Sequence, residues 1–382
     1  MRIAQLAPPL ETVPPSGYGG TERVIHTLTE ELVRRGHDVT LFAAGGSRTS
    51  ARLVVTCEQP AWHRDPPLRD PMPTWSVVLG KLLHQLDGFD VVHSHLDWIG
   101  LPLARWAGVP VLTTLHGRLD IPEMQEALCE FRDVPLVSIS SAQRRPVAWA
   151  NFIATVHHGI DLTRIQFSAD QGNYLAFLGR VSPEKGLDVA IRVARRAGLP
   201  LKIAARMPSH RTQNPNAAED LEYWDHVIQP MLGRDVEMVG EIGGAEKEEF
   251  LRNAAAMLFP IQWPEPFGLV MIEALACGTP VLATRYGSVP EVIRDGVTGF
   301  VADSEEELVR AVGNIDQISR AACREEAERR FSPCAMAAAY EQVYEHLTTR
   351  ESARRLFDMQ PVDLAAADRA SRNIPPASIA IP

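Results

Sequence analysis

Two glutamates with seven residues between them occur in the segment WPEPFGLVMIEALACGTP at 263–280. A carboxylate accepts two hydrogen bonds, so Glu265 and Glu273 could hold adjacent hydroxyls of a ribose and a hexose. Glu273 lies among apolar residues that we expect to be buried, where an unpaired charge is costly. The alternative is an ion pair with an Arg or Lys elsewhere in the chain, which is how most buried carboxylates are stabilised. The sequence leaves both explanations open.

Two cations lie in another loop, LGRVSPEKG at 178–186, which follows an apolar strand pattern and precedes a helical one. Arg180 offers a planar fork of donors and Lys185 a point charge, and the N-terminus of the following helix adds the positive end of its dipole. Together these features suit a diphosphate. The alternative is that both residues are solvated loop charges.

A glycine-rich loop, SGYGGTER at 16–23, leads into the first helical pattern of the chain. Its glycines would let backbone N–H groups approach an anion at the start of that helix. The loop is not the dinucleotide-binding fingerprint, because Glu22 stands where the third glycine is required. This break disfavours a nicotinamide-dependent oxidoreductase, and a flexible turn is the alternative interpretation of the loop.

The elements that position these loops alternate between strands and helices. Strand patterns occur at 2–7, 38–43, 90–95, 110–117, 135–140, 152–159, 174–180, 201–205, 236–241, 255–260, 280–284 and 299–302. Helical patterns occur at 21–36, 101–108, 187–198, 245–256, 268–277 and 304–314. Because strand, glycine-containing loop, helix and strand recur in both halves, the sequence predicts an α/β protein with two Rossmann-like, doubly wound parallel sheets.

The domain boundary is expected in the polar stretch 160–172, which divides the chain into residues 1–165 and 166–340. The C-terminal helix and tail, about 340–382, are expected to pack back onto the first domain, and the end from 351 onward looks irregular. A chain of 382 residues is long enough for two such cores.

Composition excludes several classes of protein. The net charge of −10 disfavours broad contact with nucleic acid or with an anionic membrane surface, so membrane contact should be at most peripheral. Five cysteines without a Cys-x-x-Cys pair argue against a disulfide framework and a zinc cluster. The start MRIAQLAPPL lacks the pattern of an export signal, so a cytoplasmic location is expected.

The motifs together resemble family 4 of the retaining glycosyltransferases, which have the GT-B fold of two Rossmann-like domains facing a cleft. EPFGLVMIEALACGTPVLAT is similar to the Glu-x7-Glu signature of that family, and LGRVSPEKGLDVAI resembles its diphosphate-binding loop. GYGGTERV resembles the glycine loop of the N-terminal domain, and DGVTGFV is similar to a common later segment. The resemblance extends over roughly residues 1–350, in the expected order.

The resemblance implies a hexosyltransferase that moves a sugar from an NDP-sugar, such as a UDP- or GDP-hexose, to a hydroxyl acceptor with retention and without a metal. The nucleotide-sugar donor is then a co-substrate, and no further cofactor is expected. The acceptor would be a small molecule, a glycan or a lipid-linked compound.

The resemblance also implies roles for individual side chains. Arg180 and Lys185 are expected to contact the diphosphate, Glu273 the ribose hydroxyls, and Glu265 the donor sugar. His116, in the strand-end segment TTLHG, matches the histidine that touches the transferred sugar. The four side chains expected to act in catalysis are His116, Arg180, Lys185 and Glu265.

Backbone groups are implied as well. The backbone at three neighbouring positions should help Glu265 to hold the donor sugar and the distal phosphate: Phe267, Gly268 and Leu269. Gly19 and Gly20 should approach the diphosphate or the acceptor from across the cleft.

Some features leave alternatives open. Where many relatives have a glycine-containing strand end such as IAG, this chain has IAARMPS, so Arg206 is expected near the nucleotide pocket and recognition of the base is left undecided. HSH at 93–95 and HH at 157–158 have metal-like spacing without accompanying acids or cysteines, so no metal is expected. Other functions to weigh are a sugar-nucleotide epimerase, a phosphorylase, a glycoside hydrolase that uses Glu265 and Glu273, and a two-lobed sugar-binding module without catalysis.

Overall fold

The computed structural model describes residues 1–17, 19–208 and 216–349, and it contains two parallel β-sheets. The first has the strand order β3-β2-β1-β4-β5-β6-β7 and the second β10-β9-β8-β11-β12-β13. The strands are β1 (Arg2–Leu6), β2 (Asp38–Ala43), β3 (Arg52–Val55), β4 (Val91–Ser94), β5 (Val111–Thr114), β6 (Leu136–Ser138), β7 (Phe152–Thr155), β8 (Leu175–Arg180), β9 (Leu201–Arg206), β10 (Val236–Gly240), β11 (Ala256–Phe259), β12 (Val281–Thr284) and β13 (Gly299–Ala302). Neighbouring strands are parallel throughout, which confirms the predicted α/β class.

Helices connect these strands. They are α1 (Gly20–Arg34), α2 (Met72–Leu83), α3 (Leu101–Trp106), α4 (Pro122–Glu130), α5 (Leu187–Ala197), α6 (Ala217–Tyr223), α7 (Gln229–Met231), α8 (Gly244–Arg252), α9 (Leu269–Ala276), α10 (Val289–Val292), α11 (Glu305–Val312), α12 (Arg320–Arg330) and α13 (Pro333–Thr348). Within the described ranges, none of them combines the length and apolar character needed to cross a bilayer.

The sheet order explains why the loops with candidate chemistry meet. In the first sheet, β1 lies between β2 and β4, and in the second β8 lies between β9 and β11. The order in which successive strands join each sheet therefore reverses beside β1 and beside β8. Ligands of open parallel sheets bind outside the carboxyl ends of the strands at such switch points. The glycine-rich loop follows β1, and the loop with Lys185 follows β8.

Several elements differ from the predictions. The helix predicted at 245–256 ends at Arg252, because Ala255 N donates to Tyr174 O at 2.8 Å and the chain enters β11. Edge strand β3 and helices α2, α4 and α12 were not predicted, since their apolar periodicity is short or interrupted by polar residues. The predicted C-terminal helix is α13, which begins at Pro333 and not near 340. The tail predicted to be irregular from 351 onward lies outside the described residues.

Helix α13 packs on the first sheet although it follows the second sheet in the chain. Its buried residues Met336, Tyr340 and Tyr344 share a core with Ile3 and Leu28 of the first sheet and α1. Further buried members of the helix continue this contact as far as Leu347. The last described helix therefore joins the two halves by burying apolar surface on the N-terminal one.

The hydroxyl groups of α13 also enter the first domain. Tyr344 Oη lies 2.7 Å from Nδ1 of His93 and accepts a hydrogen bond from Gln5 Nε2 at 3.2 Å. Tyr340 Oη lies 3.0 Å from Oγ1 of Thr114. Buried polar groups are costly without partners, so these bonds fix the depth and rotation of the helix.

We expect Tyr344→Phe to lower the free energy of unfolding by about 1–3 kcal/mol, because it leaves buried groups of His93 and Gln5 without a partner. Urea denaturation followed by circular dichroism measures this change. Tyr286→Phe, at a tyrosine that is 49% exposed, is the matched control and should be near neutral. Equal stability of the two variants would contradict the role assigned to the Tyr344 hydroxyl.

Candidate active site

A cleft of about 750 Å³ lies between the two sheets and takes its walls from both. Its lining residues follow the carboxyl ends of strands in each half, such as Pro8 after β1, His116 after β5, and Trp263 after β11. All the side chains and backbone positions predicted to act in donor binding or catalysis line it: Gly19, Gly20, His116, Arg180, Lys185, Glu265, Phe267, Gly268, Leu269 and Glu273.

Glu265 is held by two donors of its own domain. Lys185 Nζ lies 2.5 Å from Glu265 Oε2, and the indole N–H of Trp263 donates to the same oxygen at 3.1 Å. The Lys185 ammonium also lies 4.7 Å from the centre of the Trp263 ring. Lysine, glutamate and tryptophan therefore form one compact unit that orients both charges on the cleft wall.

Glu273 has an ion-pair partner from each domain, so the sequence-based alternative of an ion pair is what the structure contains. Lys247 Nζ of α8 lies 2.5 Å from Glu273 Oε1, and Arg23 Nη1 of α1 lies 3.4 Å from the same oxygen. Among the described residues, no donor contacts the other oxygen, Oε2. Since Glu273 lines the cleft, Oε2 is available to accept a hydrogen bond from a ligand hydroxyl.

Arg180 is also paired with acids. Its Nη2 lies 2.7 Å from Glu184 Oε1, and its Nη1 lies 3.5 Å from Asp220 Oδ2. The guanidinium is about one-third exposed, so it remains accessible from the cleft. The two cations predicted for a diphosphate thus share one wall, but each already neutralises a carboxylate.

Two glycines allow the second-domain loops to approach each other. A Cβ atom at Gly186, which has φ +68°, would lie 2.1 Å from Pro260 O. At Gly268, with φ +77°, a Cβ atom would lie 2.8 Å from the methyl carbon of Met271. Glycine is therefore required where the loop containing Lys185 passes the end of β11 and where α9 begins.

Two helix N-termini line the cleft from opposite sides. The N–H groups of Phe267, Gly268 and Leu269, at the start of α9, donate to no group among the described residues. Gly20, at the start of α1, faces the Leu269 side chain closely enough that a Cβ there would lie 3.2 Å from Leu269 Cδ1. Free N–H groups and the positive end of a helix dipole favour an anion at this place.

His116 presents a neutral ring to the cleft. Burial lowers the pKa of His116 to about 3, so the imidazole carries no charge near neutral pH. Its backbone N–H donates to Asp97 Oδ1 at 3.1 Å, and its Nε2 lies 2.8 Å from Nδ1 of His95. Nδ1 of His116 is buried and has no partner in the described part of the chain.

A chain of hydrogen bonds sets the tautomer of His116. Gln5 Oε1, which can only accept, lies 2.8 Å from His95 Nε2, so His95 donates through Nε2 and accepts through Nδ1. His116 must then donate through Nε2, which leaves its Nδ1 as a lone pair. Since Gln5 Nε2 donates to Tyr344, the chain extends from the cleft to α13. The sequence predicted His116 as a site residue but not the hydrogen bonds that fix its tautomer.

Two further acids on the first-domain wall were not predicted as site residues. Glu22 of α1 is only 3% exposed, and burial raises its pKa to about 7. Asp97, at φ +48°, is partly buried, and desolvation raises its pKa to about 6. Both line the cleft beside His116. The only signal for Glu22 in the sequence was its place in the glycine-rich loop.

Lys247, Arg23 and Trp263 were also missed. Lys247 belongs to AEKEEF, a segment that has the composition of a solvated helix surface, and Arg23 belongs to an ordinary amphipathic helix. Arg206, which left recognition of the base undecided, lines the cleft at the end of β9. Across the described ranges, no cluster of three or more His, Cys, Asp or Glu side chains has the arrangement of a metal site.

Comparison with protein-family models gives two matches that adjoin each other. Residues 18–164 match the model of Glycosyltransferase Family 4, and residues 161–330 match that of Glycosyl transferases group 1. Together the two models cover the chain from the glycine-rich loop to the end of α12.

Individual relatives agree with the family matches. The D-inositol 3-phosphate glycosyltransferase of Acidothermus cellulolyticus is 27% identical over 370 residues, covering 80% of this chain and 80% of that protein. Among solved structures, AviGT4, a glycosyltransferase involved in avilamycin A biosynthesis, is 25% identical, with a TM-score of 0.68 over 91% of this chain and 98% of its own. The Anabaena protein Alr3699/HepE, in complex with UDP and glucose, is 18% identical, with a TM-score of 0.68 over 91% of this chain and 100% of its own, and shows the same fold.

The raised pKa of Glu22 predicts a pH-dependent cost to stability. The folded state holds the proton up to about pH 7, whereas the unfolded chain releases it near 4.5, so stability falls as the pH rises between these values. Glu22→Gln removes this loss. The variant should therefore gain on the order of 1–3 kcal/mol over the parent between about pH 5 and about pH 8.

Urea denaturation at the two pH values measures this gain, and any effect of the substitution that does not depend on pH cancels. Glu123→Gln, at an exposed glutamate of α4, serves as the control and should give no pH-dependent difference. If the stability difference of Glu22→Gln is the same at both pH values, Glu22 does not titrate as a buried acid.

Proposed function

The chain belongs to glycosyltransferase family 4 and has the GT-B fold, and we propose that it transfers a hexosyl unit from a nucleotide-sugar to a hydroxyl acceptor with retention and without a metal. The observation that carries this proposal is the second-domain wall of the cleft. There Lys185 and Glu265 lie 2.5 Å apart, as do Lys247 and Glu273, beside the free N–H groups of α9.

A diphosphate develops negative charge as it leaves the sugar, and preorganised donors are most effective where that charge appears. Lys185, Arg180 and the N–H groups at the start of α9 supply positive charge on one wall of the cleft. In this proposal they replace the divalent ion that other transferases use. The carboxylate partners of Lys185 and Arg180 hold these side chains in place until the phosphate oxygens take over part of their hydrogen bonding.

The carboxylates then have separate roles. Glu273 Oε2, which has no donor among the described residues, accepts hydrogen bonds from the ribose hydroxyls. Glu265, fixed by Lys185 and Trp263, accepts from the hydroxyls of the donor sugar. His116 lies on the opposite wall and contacts the transferred sugar through a neutral ring.

Retention is proposed from the family resemblance. In this mechanism the bond between the anomeric carbon and the diphosphate oxygen breaks while the acceptor oxygen attacks from the same face. The leaving phosphate oxygen takes the proton of the acceptor, so no protein nucleophile is needed. The role of the protein is to place the two oxygens and to stabilise the charge between them.

UDP-hexose or GDP-hexose is the donor we propose. The fold neighbour from Anabaena was solved with UDP and glucose, which makes UDP the first nucleotide to test. Arg206, at the end of β9, lines the cleft where we propose that the nucleotide binds. The comparison of UDP, GDP and ADP described below identifies the preferred base.

Substitution of the cations tests the catalytic part of the proposal. Lys185→Ala and Arg180→Ala should each lower kcat by about 100-fold or more, because each removes a donor aimed at the leaving diphosphate. Lys202→Ala, at a lysine on β9 paired with Glu237 outside the cleft, is the matched control and should retain activity. Near-normal kcat in both cleft variants, with folding verified by circular dichroism, would refute the assignment.

Nucleotide binding is tested separately by thermal shift with UDP, GDP and ADP. We expect one of them to raise the melting temperature by a few degrees at about 100 times its Kd, since a ligand of the folded state alone stabilises that state. Acceptor-dependent release of the nucleotide then separates a transferase from an epimerase or a binding module. If none of the three nucleotides shifts the transition, the proposed donor site is wrong.

A further inference from the structure

The first-domain wall of the cleft carries acids that have no ion-pair partner among the described residues. Glu22, which is 97% buried within the protein, forms no ion pair and no hydrogen bond to another described residue. Asp97 lies on the same wall, where its carboxylate accepts one bond, from the backbone N–H of His116 at 3.1 Å. A buried carboxyl without a partner, facing a cleft, is a feature that a ligand can satisfy.

The arginines of this wall are ion-paired with carboxylates. Arg23 donates to Gly17 O at 2.9 Å and contacts Glu273 across the cleft at 3.4 Å. Arg118 forms a two-point ion pair with Asp120, at 2.8 and 2.6 Å. Among the described first-domain residues that line the cleft, these are the arginines and lysines, so the cations of this wall are ion-paired whereas its two acids are not.

Aromatic rings complete this wall. Trp62 and Trp75 line the cleft together with Glu22, and Trp62 is 50% exposed. The turn that carries Trp62 is fixed, because its N–H donates to Leu10 O at 3.0 Å and His63 Nε2 lies 2.6 Å from Glu11 Oε2. Indole faces beside carboxylates suit a ring that has an apolar C–H face and hydroxyls at its edge.

We propose that the acceptor is a neutral sugar or polyol without a phosphate group, whose hydroxyls donate to Glu22 and whose C–H face packs on Trp62 or Trp75. This inference rests on the proposed function, since it names the acceptor of the same site. The acceptor hydroxyl forms the new bond to the anomeric carbon, and its proton leaves on the diphosphate. A phosphate on the acceptor would instead bring negative charge against Glu22 and Asp97.

Matched pairs of acceptors test the charge rule. Glucose is compared with glucose 6-phosphate, and myo-inositol with inositol 3-phosphate, by acceptor-dependent nucleotide release from the donor that the thermal-shift screen identifies. Glucosamine, which carries an ammonium group, is the cationic compound compared with glucose. The comparison is made at about pH 8, where Glu22, with its pKa raised to about 7, is ionised. We expect a neutral member to be preferred over its phosphate by about tenfold or more in kcat/KM.

Two variants connect this preference to the wall. Glu22→Gln should reduce the ratio of kcat/KM for the neutral acceptor to kcat/KM for its phosphate by about fivefold or more, because it removes the carboxylate charge and keeps the shape of the side chain. The KM for the donor should stay unchanged. Trp62→Ala should raise KM for the neutral acceptor, by about tenfold. Glu123→Gln on α4 is the control and should leave the preference as it is in the parent.

The outcomes separate this inference from the proposed function. A parent protein that binds its nucleotide but prefers phosphorylated acceptors, or that uses only glucosamine, overturns the inference and leaves the proposed donor site intact. The same holds if no neutral compound supports turnover, or if Glu22→Gln does not change the preference. If no nucleotide binds and none is consumed with any acceptor, the proposed function itself fails.

Discussion

The structure depends on the placement of charge in the cleft between the two sheets, where some of the charged side chains are buried. Inside such a cleft an unpaired ion is costly, whereas a paired one is oriented and ready for use. On the second-domain wall, Lys185 contacts Glu265 and Lys247 contacts Glu273, each at 2.5 Å. Arg23 reaches Glu273 from the other domain at 3.4 Å, so the same carboxylate also belongs to the domain interface. In the proposed function, donor binding and domain orientation therefore share one group.

The first-domain wall is arranged on a different principle. His116 is neutral, and its tautomer follows from bonds to His95 and Gln5 that continue to Tyr344 on α13. The helix that ties the C-terminal half to the first sheet therefore also supports a ring in the cleft. The two acids of this wall, Glu22 and Asp97, have no ion-pair partner among the described residues, and burial raises the pKa of each. In our proposal, the asymmetry between the walls, ion-paired in the second domain and acidic in the first, separates the place of the diphosphate from that of the acceptor hydroxyls.

Domain contacts beyond the cleft hold the two walls at their spacing. Glu291 of the second domain accepts hydrogen bonds from Ser141 N and Ala142 N of the first at 2.7 and 2.6 Å. Ser140 Oγ donates to Pro266 O at 2.6 Å, next to the start of α9. Because these bonds lie close to Phe267 and Gly268, a change in domain angle would displace the N–H groups that face the cleft.

The sequence by itself determined the alternation of most strands with helices, the two parallel sheets, and the loops that carry Arg180, Lys185, Glu265 and Glu273. These follow from apolar periodicity and from glycines at helix starts, which are properties of neighbouring residues. Tertiary structure alone decided which charges meet: Arg23 and Glu273 are 250 positions apart, and Lys247 lies in a segment with the composition of a surface helix. It also decided that Glu22 is buried without an ion-pair partner among the described residues, because burial of a polar residue depends on what packs over it, and local sequence carries no record of that contact.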